Sequence, residues 1–90
     1  MSQAIVNPME LRRFAQHLRQ FNGELRERVA FLRAQMHGLG DTWRDQEHEK
    51  FTQEFEQTLH VIEHFLEVGD LHIPFLLRKA ERIEEYLQQH

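Results

Sequence analysis

Cysteine, proline and glycine are scarce in this chain of 90 residues, which has no cysteine, two prolines and four glycines. Without cysteine the chain cannot form a disulfide framework or a thiolate-bound zinc site. So few turn-forming residues leave little material for a β-fold. No apolar run approaches the roughly 20 residues that span a bilayer, so we expect no membrane span. These absences favour an all-α fold.

An excess of positive charge is also missing, because the formal net charge is −4. A net negative surface repels phosphate, so we expect no nucleic-acid partner. The apolar fraction of 40% and the charged fraction of 29% are typical of a soluble folded chain. The amino-terminal sequence lacks the basic and apolar regions of an ordinary cleaved signal peptide. We expect one domain over residues 1–90, cytoplasmic before any export.

The first half of the chain has apolar residues at steps of three and four, which predicts an amphipathic helix over about 8–37. Asn7 is a suitable N-cap, and Pro8 fits the first helical position. The apolar positions are Leu11, Phe14, Leu18, Phe21, Leu25, Val29, Leu32 and Met36. A turn is predicted over about 38–42, where Gly38 or Gly40 can take a left-handed conformation and Asp41 or Thr42 can cap the next helix.

The same rhythm predicts a second helix over about 43–88. Pro74 lies inside it, and a proline in a helix interior removes a hydrogen bond, so we expect a kink near 69–74. Two long helices joined by a short turn must lie antiparallel, as a hairpin. The residues predicted to pack between the helices are Phe14, Leu18, Phe21, Phe51, Phe55, Leu59 and Ile62.

A second apolar ridge runs beside the first on the C-terminal helix, formed by Val61, Phe65, Val68 and Phe75. One partner helix cannot cover so wide an apolar arc, and an exposed patch of this kind invites aggregation. We therefore predict that two hairpins pair into a four-helix bundle through this ridge, as a homodimer or as a heterodimer with a related small helical protein. The alternative is a monomer in which Phe65 and Phe75 fold over the kink.

The predicted turn contains Trp43-Arg44-Asp45, followed by Phe51 and Phe55. Taken alone, Trp43 has a plain structural role, in which the indole closes the end of the helix pair. The length, the two helices, the tryptophan in the turn and the two phenylalanines together resemble the WXG100 (ESAT-6-like) family. That resemblance implies a helical hairpin, dimers that form four-helix bundles, and export as a folded dimer by a type VII (ESX-type) secretion system.

Two positions depart from the family pattern. Asp45 stands where the family has the glycine of its Trp-x-Gly element, and Tyr86 is followed four residues later by His90 rather than by the acid of the family's export signal. The resemblance thus implies either a co-exported partner that carries the signal or a relative that is not secreted. The function predicted first is an interaction protein that is exported by, or escorts cargo to, such a system. The alternative is a cytoplasmic coiled-coil adaptor or regulator with the same shape.

Catalytic and metal chemistry find little support in the sequence. His60 and His64 share a helix face with Glu67, which is ligand spacing for Zn²⁺, yet their acidic, solvated setting favours ordinary surface residues. The chain has no cysteine nucleophile and no glycine-rich phosphate loop. We therefore expect no enzymatic activity, no cofactor and no metal.

Overall fold

The computed structural model describes residues 6–88, which form two long helices and no strand. Helix α1 spans Pro8–Leu39, and helix α2 spans Gln46–Gln88. They pack against each other over their length in an object of 70 × 22 × 14 Å. The predicted all-α hairpin is confirmed. The outermost parts of the predicted domain, residues 1–5 and 89–90, lie outside the described residues.

Helix α1 begins at a well-formed N-cap. The Oδ1 atom of Asn7 accepts a hydrogen bond of 2.8 Å from the amide of Met9, and Pro8 occupies the first helical position. The carbonyl oxygen of Asn7 accepts from the amides of Glu10 and Leu11. A side-chain cap satisfies one of the amides that a helix start leaves without an intrahelical partner.

Helix α1 continues two residues past the predicted end, through Gly38 to Leu39. Gly40 follows with φ of −61° and ψ of −16°, and no glycine in the described part of the chain has a positive φ. The predicted left-handed glycine is therefore wrong. The chain leaves the helix through tighter turns, in which the amides of Gly40, Asp41 and Thr42 each donate to the carbonyl three residues earlier.

Helix α2 is capped by Asp45. The sequence predicts Asp41 or Thr42 at this position, and that prediction is wrong. The Oδ1 atom of Asp45 accepts a hydrogen bond of 3.0 Å from the amide of His48. A carboxylate here satisfies a free amide and meets the positive end of the helix dipole. The helix starts at Gln46, three residues later than predicted, because the residues before Asp45 belong to the turn.

Helix α2 runs through Pro74 as one continuous helix. Because proline has no amide hydrogen, the carbonyl of Asp70 has no helical donor four residues on. A kink near 69–74 stays a prediction.

The seam between the helices repeats every seven residues. Its buried positions are Ala15, Asn22, Val29 and Met36 on α1, and Leu59, Leu66, Ile73 and Ala80 on α2. A repeat of seven keeps one row of side chains facing the partner along a left-handed coiled coil. Each helix thus buries one narrow row.

One seam position is polar. Asn22 is only 1% exposed; its Nδ2 donates to a carboxylate oxygen of Asp70 at 3.2 Å, and its Oδ1 has no partner. Gly69 lies directly opposite, and a Cβ there would come within 2.9 Å of Nδ2. The amide of Asn22 fits in the seam because residue 69 has no side chain.

Ion pairs close one edge of the seam, which we call the charged face. Arg12 pairs with Glu84 at 2.6 Å, and Arg26 pairs with Asp70. Arg33 contacts two carboxylates at once, those of Glu56 at 2.8 Å and Glu63 at 3.0 Å. Arg26 and Arg33 lie four residues after the seam positions Asn22 and Val29, and Arg12 has the same place in the repeat of seven. All three therefore project to the same side of the hairpin.

These ion pairs lower the pKa of the carboxyl groups on the charged face. The first cause for both Glu56 and Glu63 is the hydrogen bond from Arg33, and for Glu84 it is the bond from Arg12. Hydrogen bonds from Arg26 and Asn22 likewise lower the pKa of Asp70. A lowered pKa in the folded state means that ionised carboxylates stabilise the fold.

Acid should weaken the hairpin through these carboxylates. Their contribution is present above the ordinary glutamate pKa of 4.5 and is lost as the pH falls through the lower folded-state pKa. We expect the double variant Glu56→Gln/Glu63→Gln to lose less thermal stability than the wild type between pH 7 and pH 3, by circular dichroism. Glu24→Gln/Glu27→Gln removes two exposed charges as a control. An equal loss in all three proteins would contradict the prediction.

The Asn22–Gly69 contact can be tested by a double-mutant cycle. Gly69→Ala should lower the free energy of unfolding by about 1–3 kcal/mol, because the new methyl group overlaps the amide of Asn22. In an Asn22→Ala background there is no amide for the methyl group to overlap. Gly69→Ala should then raise the free energy of unfolding by up to about 1 kcal/mol, because alanine has the better helix propensity. Urea unfolding at one fixed protein concentration measures both effects. A penalty of the same size in both backgrounds would show that the two residues do not interact.

Candidate interaction surface

The edge of the seam opposite the charged face is lined by apolar side chains, and we call it the apolar face. On α1 it consists of Leu11, Phe14, Leu18, Phe21, Leu25, Leu32 and Leu39. On α2 it consists of Phe51, Phe55, Ile62, Phe65, Leu76 and Ile83. Each of these residues lies one or four positions before a seam residue, when the seam is extended at steps of seven along each helix. The charged-face arginines lie four positions after a seam residue, so the apolar residues are on the opposite side. The hairpin thus has ion pairs along one face and a mainly apolar second face.

The apolar face is largely uncovered. Phe14, Phe21 and Phe65 keep 57%, 52% and 52% of their surface exposed. Leu32 and Leu39 are exposed as well. Large apolar side chains exposed side by side along two helices are typical of a surface that another protein covers.

Three of the predicted seam residues lie elsewhere than expected. Leu59 is buried in the seam, and Leu18, Phe55 and Ile62 are half-buried beside it. Phe14, Phe21 and Phe51 are exposed instead. The reason for the first two is their heptad position, one residue before Ala15 and Asn22, which turns them out of the seam by about a quarter of the helix circumference. They belong to the apolar face.

The predicted dimer ridge divides into two parts. Phe65 lies on the apolar face. Val61, Val68 and Phe75 form a row further round α2, with exposed fractions of 70%, 39% and 55%. The structure therefore places all four on the surface, on adjacent rows of one helix.

A groove of about 460 Å³ indents the apolar face near the turn. It is lined by Leu32, Gln35, Met36, Gly38, Leu39, Phe51 and Phe55. The groove is open and apolar, so an aromatic or aliphatic side chain of a partner is the group that suits it.

Aromatic rings join the turn to the start of α2. The rings of Trp43 and His48 meet edge to face at a centroid distance of 5.0 Å. Trp43 and Phe51 lie 5.7 Å apart, and Phe51 stacks on Phe55 at 5.4 Å. Arg44 donates from Nε to the carbonyl of Gly40. These contacts fix the half-buried indole against the start of α2. Closure of the end of the helix pair by Trp43 stays a prediction.

His60 and His64, the candidate metal ligands, lie on the surface of α2. The ring of His60 sits between Glu63, at 3.3 Å, and Glu56, at 3.9 Å, beside the charged face. Over residues 6–88, no three histidine or acidic side chains come together as they would to hold a metal ion. Neither α1 nor α2 has a stretch long and apolar enough to cross a membrane.

The charged face was the part of the surface that the sequence reasoning missed. Its signal is present in the sequence, as arginines at 12, 19, 26 and 33 and acids at 56, 63, 70 and 84. Both sets follow the repeat of seven, and two such rows on antiparallel helices meet at one edge of a coiled coil.

The family model described as "WXG100: Proteins of 100 residues with WXG" matches residues 3–67 of the chain. No curated protein and no solved structure matches it. The match covers most of the chain, including α1, the turn with Trp43-Arg44-Asp45 and the first half of α2. It agrees with the resemblance seen in the sequence, and the chain belongs to the WXG100 family of small helical proteins.

Proposed function

We propose that the protein is an interaction protein that pairs through its apolar face with a second helical hairpin. The product is a four-helix bundle, exported as a folded dimer by a type VII (ESX-type) secretion system or escorting cargo to it. The observation that carries the pairing is the contrast between the two faces, one closed by ion pairs and the other left apolar and open.

The free energy gained by burying apolar side chains between two hairpins supports pairing. Burial of a side chain the size of phenylalanine or leucine contributes about 1.5–3 kcal/mol. Association costs about 4–15 kcal/mol in lost freedom of motion. Phe14, Phe21 and Phe65 with Leu32 and Leu39 each keep about half of their surface exposed, so each contributes about half of that amount. The ten side chains of two partners then supply about 7–15 kcal/mol, which is of the size that association requires.

Family membership supports the export role, and the local geometry supports the membership. Asp45, which replaces the family's glycine, preserves the turn because its side chain caps α2. A partner that carries the export signal would supply the acid that does not follow Tyr86. The rival function is that of an adaptor or regulator that pairs in the same way and stays in the cell.

Replacement of Phe65 by Asp should disrupt the pairing. An aspartate in the middle of the apolar face would be buried without a partner charge, so we expect monomers or aggregates in sedimentation equilibrium where the wild type gives a dimer. Leu71→Asp also replaces an exposed apolar residue by aspartate, but on the row of α2 opposite the seam, and should leave the dimer intact. A dimer of unchanged affinity in Phe65→Asp would exclude the apolar face as the interface.

Export can be tested in the host with the same pair of variants. We expect the wild type and Leu71→Asp in the culture medium and Phe65→Asp in the cells, because the system is proposed to export a folded dimer. Deletion of the secretion ATPase should retain all three, as a control against lysis. Retention of a correctly dimeric wild type with the ATPase present would favour the adaptor role.

A further inference from the structure

One step in the series of ion pairs on the charged face has no carboxylate. The series matches steps of seven along α1 with steps of seven along α2 in the reverse direction. Three of its steps are the pairs Arg12–Glu84, Arg26–Asp70 and Arg33–Glu63. At the remaining step the register places Arg19 opposite Leu77, and Arg19 makes no ion pair within residues 6–88. We call Arg19 and Leu77 the unpaired step.

The acids nearest to the unpaired step along the chain are placed elsewhere. On α2 the nearest is Glu81, which, after Glu84, raises the pKa of Arg12. On α1 it is Glu24, which lies on a different flank of the helix. Arg19 is exposed, and a guanidinium group is always charged in a protein. This cation therefore lacks a counter-ion within the described part of the hairpin.

The distribution of charge along the chain favours an acidic group at the unpaired step. The segments 1–22 and 71–90, which contain this step, carry six lysines and arginines and four acids. Residues 23–70, which contain the turn, carry five lysines and arginines and eleven acids. The half of the hairpin around Arg19 is therefore positive although the whole chain is negative, and its field attracts acidic groups.

A groove of about 400 Å³ lies on the same face, closer to the turn. Its lining residues are Arg26, Val29, Ala30, Arg33, Glu63, Leu66 and Glu67. The arginines and Glu63 are engaged in ion pairs, whereas Glu67 makes none with the described residues. The buried residues Val29 and Leu66 supply an apolar base, so the groove suits the aliphatic stem and charged end of a lysine or arginine.

The two contact points lie at a distance that one helix can span. Glu67 comes ten residues before Leu77 on α2, which is about 15 Å along the helix axis. An acid and a base about three turns apart on one face of a straight helix would therefore reach Arg19 and Glu67 together.

Gly23 lies on the same side of α1, between Arg19 and Arg26. Its φ is not positive, and a Cβ at this position would meet no other atom within 4 Å. Neither the backbone nor the packing of the hairpin therefore requires a glycine, although glycine weakens a helix interior. A residue without a side chain does allow a further helix to approach α1 closely.

We infer that the charged face binds a helix of a third protein, which places an acidic side chain on Arg19 and a basic side chain on Glu67. This inference rests on the proposed pairing, which covers the apolar face and leaves the charged face on the outside of the bundle. The aliphatic part of the bound acid packs on the half-buried Leu77. The third protein is the cargo that the bundle escorts.

Photo-cross-linking in the host tests this surface. We place p-benzoylphenylalanine at Gln16, which is exposed and lies one turn before Arg19. We expect an adduct with a third protein, through a helical peptide that contains an acid. Leu77→Glu should reduce the adduct at least tenfold, because it supplies the missing carboxylate from within the hairpin. Leu77→Gln removes the same leucine without adding a charge and should keep the adduct.

Affinity for the purified third protein gives a second measurement. Arg19→Glu and Glu67→Lys should each weaken binding about tenfold at low salt, because a like charge replaces an opposite one. Replacement of the cross-linked acid by arginine should restore binding to Arg19→Glu.

Three results would overturn the inference. They are an adduct no stronger than that from p-benzoylphenylalanine at the exposed Ala34 on the far side of α1, an adduct unaffected by Leu77→Glu, and an affinity unaffected by Arg19→Glu. Sedimentation of the same variants measures pairing separately, and we expect dimers in all of them. A monomeric wild type would contradict the proposed pairing, whereas a dimer without the adduct would contradict only the role of the charged face.

Discussion

A seam only one row wide is the constraint on which the rest of this structure depends. Two helices that meet along a repeat of seven bury one row each and leave both edges of the contact open to water. At the charged face Arg12, Arg26 and Arg33 cover the edge with their aliphatic stems and place their guanidinium groups on carboxylates of α2. At the apolar face no such cover exists within the hairpin. The division of the surface into two faces follows from this one difference.

A seam that repeats every seven residues raises a problem of register, because a slip by one heptad would again place apolar residues opposite one another. Asn22 breaks that equivalence. Its amide meets Asp70 and fits only opposite Gly69, so a pairing slipped by one heptad would bury the amide against the larger side chain of Ile62 or Leu76. The unpartnered Oδ1 of Asn22 is a cost in stability that such a specificity device commonly carries.

Much of the fold could be predicted from the sequence, and the errors have physical causes. Steps of three and four specify an apolar stripe without saying which row faces the partner helix. The stripe therefore predicts Phe14 and Phe21 in the seam, although the rows at Ala15 and Asn22 fill it. Small or polar residues in a seam give little periodic signal, yet they let two helices come close. The cap of α2 was misplaced because Asp41, Thr42 and Asp45 are all good caps, and only the course of the turn selects Asp45.

The identity of the partner bears on how the protein would leave the cell. In a dimer of two identical chains, Tyr86 is followed four residues later by His90 in both copies, so the acid of the family's export signal is supplied by neither. A heterodimer could obtain the signal from its other half, whereas a symmetric dimer must obtain it from a further protein. A homodimer therefore suits the escort role, and a heterodimer suits independent export. A symmetric bundle has two equivalent outer surfaces on which to carry a cargo that bears the signal.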